Sequence, residues 1–363
     1  VPGAHAPSGF TSAFPRFLRR ASASGSFLSE VPALGQNQIT NEDRRRGMIA
    51  GPFIADALAM PVHWYYDREA LRRDYGDVRD YLPPRNPHPD SILWRSSYTP
   101  QNERGDILHD QARFWGQRGV HYHQFLQAGE NTLNFQLIHL LDESLQACGG
   151  YQLDDYLGRY IEFMRTPGRH RDTYVEEYHR HFFTRYSRGW KPSRCGGSDP
   201  HIGGLAPVGL LCARLGHDPA AALAAVREHV GFSHADPGVL EASTALARML
   251  LELLARASLR DTILRHGTTW ISARKIATWS EAPDLVVIGR HLSPACYIRD
   301  AFTASLYLAW KYAENFEAAV IANAQVGGDN CHRGAVVGAL CGAASGYSQL
   351  PERYREGLVR SGI

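Results

Sequence analysis

GAVVGALCGAASG, residues 334–346, places Gly334, Gly338 and Gly342 at every fourth position, with Ala335, Ala339 and Ala343 one step behind. Each glycine in a helix interior costs up to about 1 kcal/mol relative to alanine. A helix built this way holds only where another backbone packs closely against it, so it belongs at the centre of a helical bundle. Gly47 and Gly51 repeat the four-residue spacing in NEDRRRGMIAGPFIADALAMPVHW, residues 41–64. That stretch begins at a Thr40 or Asn41 cap and carries Met48, Ile49, Phe53, Ile54 and Leu58 at helical spacing, with Pro52 as a kink position. The two glycine-bearing helices are expected to lie against each other.

The rest of the chain repeats the helical period. Leu133, Leu137, Leu140, Leu141 and Leu145 share one face of a helix starting near Thr132. Helices are also expected over Tyr151–Arg165 and Tyr174–Tyr186, and from about Ala206. Others follow the Asp-Pro and Ser-Pro pairs at residues 218, 236 and 293, and one runs through NFEAAVIANAQ. Residues 83–105, rich in Pro and polar side chains, read as a long loop. SARKIATW, residues 272–279, is the nearest approach to a strand. The expected fold is all-α, a compact many-helix bundle forming a single domain over residues 41–363.

Composition narrows the partners. With 44% hydrophobic and 21% charged residues and a net charge of +2, nothing in the bulk points to nucleic acid. No apolar run reaches the roughly 18 residues a membrane span needs. The six cysteines are scattered without a C-x-x-C pair, as free thiols in a reducing compartment would be. Residues 1–40 differ from the rest: Arg16, Arg19 and Arg20 precede the first acidic residue, Glu30, among Ser, Ala and Gly. This basic arm suits a transit segment, and the expected location is mitochondrial, with plastid or cytoplasm as alternatives.

Three blocks resemble the ADP-ribosylglycohydrolase family, which includes the dinitrogenase-reductase activating glycohydrolases. GMIAGPFIADALAMPV (47–62) is similar to the family's opening G-x-x-x-G-x-x-x-G-D-A-x-G-x-P helix. AGENTLNFQL (128–137) stands where the family has T-D-D-T, and VGGDNCHRG (326–334) stands where it has G-G-D-x-D-S/T. GGLAPVGLL and the FSH at 232–234 are weaker echoes. The resemblance implies an all-α fold, two Mg²⁺ or Mn²⁺ ions gripping a ribose diol, and cleavage of an N- or O-glycosidic bond to ADP-ribose or a related ribosyl compound. It implies Asp56, Glu130 and Asp329 as metal ligands and Glu130, Asp329 and His332 as catalytic groups. Asn131, Thr132, Gly328 and Asn330 become substrate contacts.

The ligand set departs from the family's. Asn131 and Cys331 replace aspartates, His332 replaces Ser or Thr, and Asp56, Glu130 and Asp329 are the carboxylates kept. Two dications beside three carboxylates leave a positive charge that a low-dielectric core penalises by several kcal/mol. A full dinuclear site is therefore not expected, and three readings stand open. One divalent ion, Mg²⁺ or Mn²⁺, rests on Asp56, Glu130 and Asp329; or a softer ion is drawn to Cys331 and His332, with His63 nearby. In the third, Glu130, Asp329 and His332 form a metal-free polar cluster. The matching functions are a glycosidic-bond hydrolase and a catalytically lapsed member serving as a subunit of a larger organellar complex. His121, His123, His109, His201 with Asp199, His234 with Asp236, and the aromatic WYYD at 64–67 are weighed as pocket or packing residues, with packing preferred for the H-x-H pair and for WYYD.

Overall fold

The first and the central helix touch backbone to backbone. In the computed structural model, which describes residues 39–359, the first helix runs Asn41–Ala59 and the central one Asn330–Ser345. A Cβ on Gly51 would collide with the Gly338 carbonyl, and one on Gly338 with Gly51; Gly47 and Gly342 are paired in the same way. The small-residue spacing thus lets two main chains approach, and the contact offsets the glycine cost through buried packing. Pro52 lies inside an uninterrupted first helix, where its missing N–H leaves the Met48 carbonyl without its usual donor.

Local signals set the helix starts. Thr40 Oγ1 accepts from the Asp43 amide, and Asp218 and Asp236 cap the helices Pro219–Ser233 and Pro237–Leu254, with proline as the first helical residue. SARKIATW is helical, not extended: Ser272 caps the helix Ala273–Ser280, and Ile276 faces the core. The helix expected after Ser293-Pro294 starts only at Ile298, because Cys296 and Tyr297 are drawn into a short antiparallel bridge with His201 and Ile202. Tyr174–Tyr186 is helical only from Glu177 to Ser187. Among the described residues there is no strand, only isolated bridges. None of the helices among the described residues is long and apolar enough to cross a membrane.

Between the helices Arg68–Tyr75 and Leu133–Cys148 the chain makes only short 3-10 turns, yet it is anchored. The buried rings of His88 and His121 donate to the carbonyls of His63 and Pro61, each at 3.0 Å, fixing this loop to the end of the first helix. His123 is delivered to the bundle centre by that anchorage. The described residues belong to one compact unit beginning at Ile39. The expected basic arm lies almost wholly outside the described residues.

Candidate active site at the start of the central helix

Asp329 occupies the N-cap position of the central helix, but its carboxylate makes no capping bond. A glycine pair turns it elsewhere. Gly327 and Gly328 both adopt φ of +66°, and a Cβ on Gly328 would strike the Pro294 carbonyl. Gly328 exchanges main-chain hydrogen bonds with the opposite loop, donating to Tyr65 O at 2.7 Å and accepting from Trp64 N at 2.8 Å. Asn330 fastens the corner further, its amide donating to Val62 O and Ala324 O at 3.1 Å each. Arg333 lies fully buried behind it. Its guanidinium donates to the Asn323 side chain and to the Asn323 and Gly327 carbonyls at 2.8–3.0 Å.

The Asp329 carboxylate faces two imidazoles. Its Oδ1 accepts from His63 Nε2 at 3.0 Å and from His332 Nδ1 at 2.8 Å. Each ring leads outward. His63 Nδ1 is 2.8 Å from His123 Nε2, and His123 Nδ1 is 2.6 Å from Asp172 Oδ1. His332 Nε2 is 3.1 Å from Glu176 Oε1. Carboxylates and imidazoles therefore form one buried chain: Asp172, His123, His63, Asp329, His332, Glu176. Asp172 also accepts from the Leu133 amide at the start of the helix Leu133–Cys148. Asn134 donates to Glu176 while its oxygen accepts from Tyr178 Oη at 2.7 Å and His179 Nε2 at 3.2 Å.

The charges follow from these contacts. Burial works against a charged His332, but the flanking Asp329 and Glu176 carboxylates outweigh it and raise its pKa well above the ordinary value. Burial likewise opposes ionised Asp329 and Glu176. The imidazolium overcomes this in both, holding Asp329 far below the usual carboxylate range and Glu176 at about 2. His63 is pulled by burial down to about 4 despite its bond to Asp329. Among these groups Glu176 is the one with an appreciably open side chain, 18% exposed against 0% for Asp329.

The second sequence block forms a different corner. Asp56 accepts from Asn131 Nδ2 and Thr132 N, both at 2.9 Å, and from Thr132 Oγ1 at 2.8 Å. Burial raises the Asp56 pKa against those three donors. Glu130 accepts from Gln127 N at 2.6 Å and pairs with Arg171. Cys331 directs its thiol to the Asp56 carbonyl at 3.7 Å, and burial pushes its pKa well up. Among the described residues, the group of three ligand-type side chains with donor atoms within 4.8 Å of one another is His63, Asp329 and His332.

Several expectations are thereby corrected. Asp56 and Glu130 do not join Asp329 in one ligand cluster, because Asn131, Thr132 and Arg171 already hold their oxygens. Glu130 does not meet His332; Glu176 takes that place. Asn131 and Thr132 bond to Asp56, Asn330 ties the corner to Val62 and Ala324, and Cys331 faces the Asp56 carbonyl. A pair of hard ions demands about six oxygen ligands each, and these residues do not fit that demand.

Beside the cluster lies a cavity of ≈10 Å³, lined by His63, His123, Asp172, Glu176, Trp64 and Tyr174 among others. That is about the room one water needs. Trp64 stacks on His63, with ring centroids 3.9 Å apart, and meets Tyr122 and Tyr174 edge-on. WYYD thus contributes a wall of the site through Trp64. His121 serves packing, whereas His123 belongs to the buried chain. His109 donates to Met164 O at 3.0 Å, and Asp236 is a helix cap. His201 pairs with Asp199 at 2.6 Å. Sequence reasoning missed Asp172, Glu176, Asn134 and Arg333. The first two lie in RHRDTYVEE, a stretch with no motif, and only its density of charge beside an expected helix could have flagged them.

The family model described as ADP-ribosylglycohydrolase matches residues 37–362. A solved structure titled "ADP-ribosylglycohydrolase-related protein complex" is similar in fold, with a TM-score of 0.60 and 20% identity over 88% of this chain and 93% of that one. No curated protein matches the chain.

Proposed function

We propose that this chain, which belongs to the ADP-ribosylglycohydrolase family, hydrolyses an N- or O-glycosidic bond of ADP-ribose or a related ribosyl compound beside Glu176. One observation carries the reading: a partly exposed carboxylate, held ionised by His332, borders the cavity at the bundle centre. Positive charge develops on the sugar ring as a glycosidic bond breaks, and a fixed carboxylate stabilises it. Glu176 does this and orients the attacking water; Asp329 and His332 position Glu176. Asn134, its oxygen held by Tyr178 and His179, helps to fix Glu176 through its amide. Trp64 and Tyr174 supply aromatic walls. The family's pair of hard ions finds no matching ligands here, so no step is routed through it. The mitochondrial location stays part of the proposal on the composition of residues 1–40.

The test is release of ADP-ribose from ADP-ribosyl-arginine, ADP-ribosyl-serine and simpler ribosyl compounds, comparing the wild type with Glu176→Gln. Turnover that falls at least about 100-fold in a folded Glu176→Gln protein supports the assignment. Unchanged turnover removes Glu176 from the reaction.

The size of the cavity favours a second reading. A space of ≈10 Å³ holds a water and not a ribose, and Asp329 and His332 are sealed from solvent. In that reading the chain is a catalytically lapsed member acting as a subunit of a larger assembly. Absence of turnover on every substrate, with native purification in a complex well above 40.4 kDa, would decide for it.

A further inference from the structure

We infer that His63 Nε2, the Asp329 carboxylate and His332 Nδ1 form a three-ligand site for a single dication of the Zn²⁺ class. The site differs in ligand type, ligand number and ion count from a carboxylate-held pair of hard ions. It goes beyond the hydrolase reading and is tested without turnover.

Geometry comes first. The three donor atoms lie within 4.8 Å of one another, and all three side chains are buried. Both imidazole nitrogens converge on Asp329 Oδ1, at 3.0 and 2.8 Å. The other carboxylate oxygen, Oδ2, is buried and has no hydrogen-bond partner. A buried, unpartnered carboxylate oxygen is costly and calls for an explanation such as an ion.

Hydrogen-bond direction supplies the second argument. With an ion on the inner nitrogens, each ring keeps one outer N–H, and every one has an acceptor. His63 Nδ1–H donates to His123 Nε2 and His123 Nδ1–H to Asp172, while His332 Nε2 lies 3.1 Å from Glu176 Oε1 and also meets the Asn134 amide nitrogen. Outer-shell carboxylates that orient metal-bound imidazoles are the recurrent support of such sites. Without an ion, His63 must donate inward to Asp329, so its Nδ1 can only accept from His123. The contact between His123 and Asp172 then needs an extra proton, and His332 needs two. The ion therefore takes the place of two protons, with the same total charge.

The donor set chooses the class of ion. Two imidazoles and one carboxylate suit Zn²⁺ and its first-row neighbours, whereas Mg²⁺ asks for an oxygen shell. Three protein ligands leave a position open for water, and of the three His63 lines the neighbouring cavity. Cys331 is outside the set, since its thiol faces the Asp56 carbonyl.

The full chain, stripped with a chelator, would be equilibrated with Zn²⁺ or Mg²⁺ and its retained metal measured by mass spectrometry after desalting. One Zn²⁺ per chain, not displaced by millimolar Mg²⁺, is the expected result. X-ray absorption of the zinc-loaded wild type should show imidazole and oxygen scatterers without sulfur. Asp172→Asn, two hydrogen bonds removed from the His63 ligand, should weaken Zn²⁺ binding about 10-fold, and Cys331→Ser should leave it unchanged. His63→Ala and His332→Ala, each checked for helicity, should abolish it. Failure of the folded wild type to retain Zn²⁺ overturns the inference, as does a sulfur scatterer, two Mg²⁺ per chain, or full retention in the histidine variants. A wild type that binds one Zn²⁺ and turns over nothing keeps this inference and removes the hydrolase reading.

Discussion

Asp56 and Asp329 are both fully buried, one on each of the two helices that cross at the bundle centre, yet their surroundings are opposite. Asp56 receives three hydrogen bonds from Asn131 and Thr132, and these tie the first helix to the start of the helix Leu133–Cys148. Asp329 receives two, both from imidazoles and both on one oxygen, and leaves the other oxygen bare. Its position as an N-cap would let it satisfy its own helix, and it does not. The difference separates scaffold from chemistry. A carboxylate saturated by fixed amide and hydroxyl donors locks a fold, whereas one facing titratable rings and keeping a free lone pair has capacity left for a ligand.

The comparison depends first on the helix crossing that sets the two aspartates in place. Gly338→Leu would force a side chain into the Gly51 backbone, where no rotamer can relieve the overlap. The expected loss exceeds about 4 kcal/mol, among the largest that single substitutions give. Urea denaturation followed by far-UV circular dichroism measures it. A stable Gly338→Leu protein would mean that the aspartates are not held by this contact.

Next in size is the scaffold aspartate itself. Asp56→Ala leaves the Asn131 amide, the Thr132 N–H and the Thr132 hydroxyl buried without an acceptor, at an expected cost of about 3–5 kcal/mol. A loss below about 1 kcal/mol in the same denaturation experiment would erase the distinction between the corners.

The two corners also differ in how far the sequence reveals them. The four-residue glycine spacing foretells the crossing, since only backbone contact justifies so many glycines in a helix. Asp56, Asn131 and Thr132 are legible as a unit through motif position, although their role as a mutual lock depends on a contact 75 residues apart. Asp329 and His332 are legible because they are three apart at a helix start. Glu176, Asp172 and His123 are not, because they enter from loops whose course is fixed by tertiary anchors such as His88 and His121. Local periodicity carries no information about where such loops end. The resemblance also points to Glu130, whose neighbour Arg171 lies 41 residues along the chain and has no local signature.

Acid stability offers a smaller test that separates scaffold histidines from site carboxylates. His229 packs on Tyr151 and Tyr156, and burial pushes it down to about 3. Its folded value lies below the ordinary 6.5, so the unfolded chain binds the extra proton in between, and stability falls as pH drops from about 6.5 toward 3. Glu176, at about 2 when folded against an ordinary 4.5, contributes stability that is full above about 4.5 and is lost only below it. His229→Gln should therefore flatten the dependence of stability on pH by about 1.4 kcal/mol per pH unit between about pH 4 and 6. Glu176→Gln should leave that slope unchanged above about pH 5.5 and flatten it only below, where the unfolded carboxyl takes up its proton. Urea midpoints in a pH series give both numbers, and an unaltered slope in His229→Gln would show that its burial is not what sets its charge.

The smallest expected effect falls on Glu130. Its partner Arg171 is 45% exposed, so solvent screens the pair and Glu130→Gln should cost no more than about 1 kcal/mol. The glutamine oxygen can still accept from the Gln127 amide that Glu130 now receives. If chemistry lies at the Asp329 corner, Glu130→Gln should also leave Zn²⁺ retention intact and turnover, where found, within about threefold of wild type. Glu176→Gln should lose that turnover. The reverse pattern, with Glu130→Gln inactive and Glu176→Gln active, would move the reacting centre to the corner that hydrogen bonding here marks as scaffold. Arg171 would then have to swing away to free the Glu130 carboxylate, and a shift of the Arg171 side-chain resonances on ligand binding would be its signature.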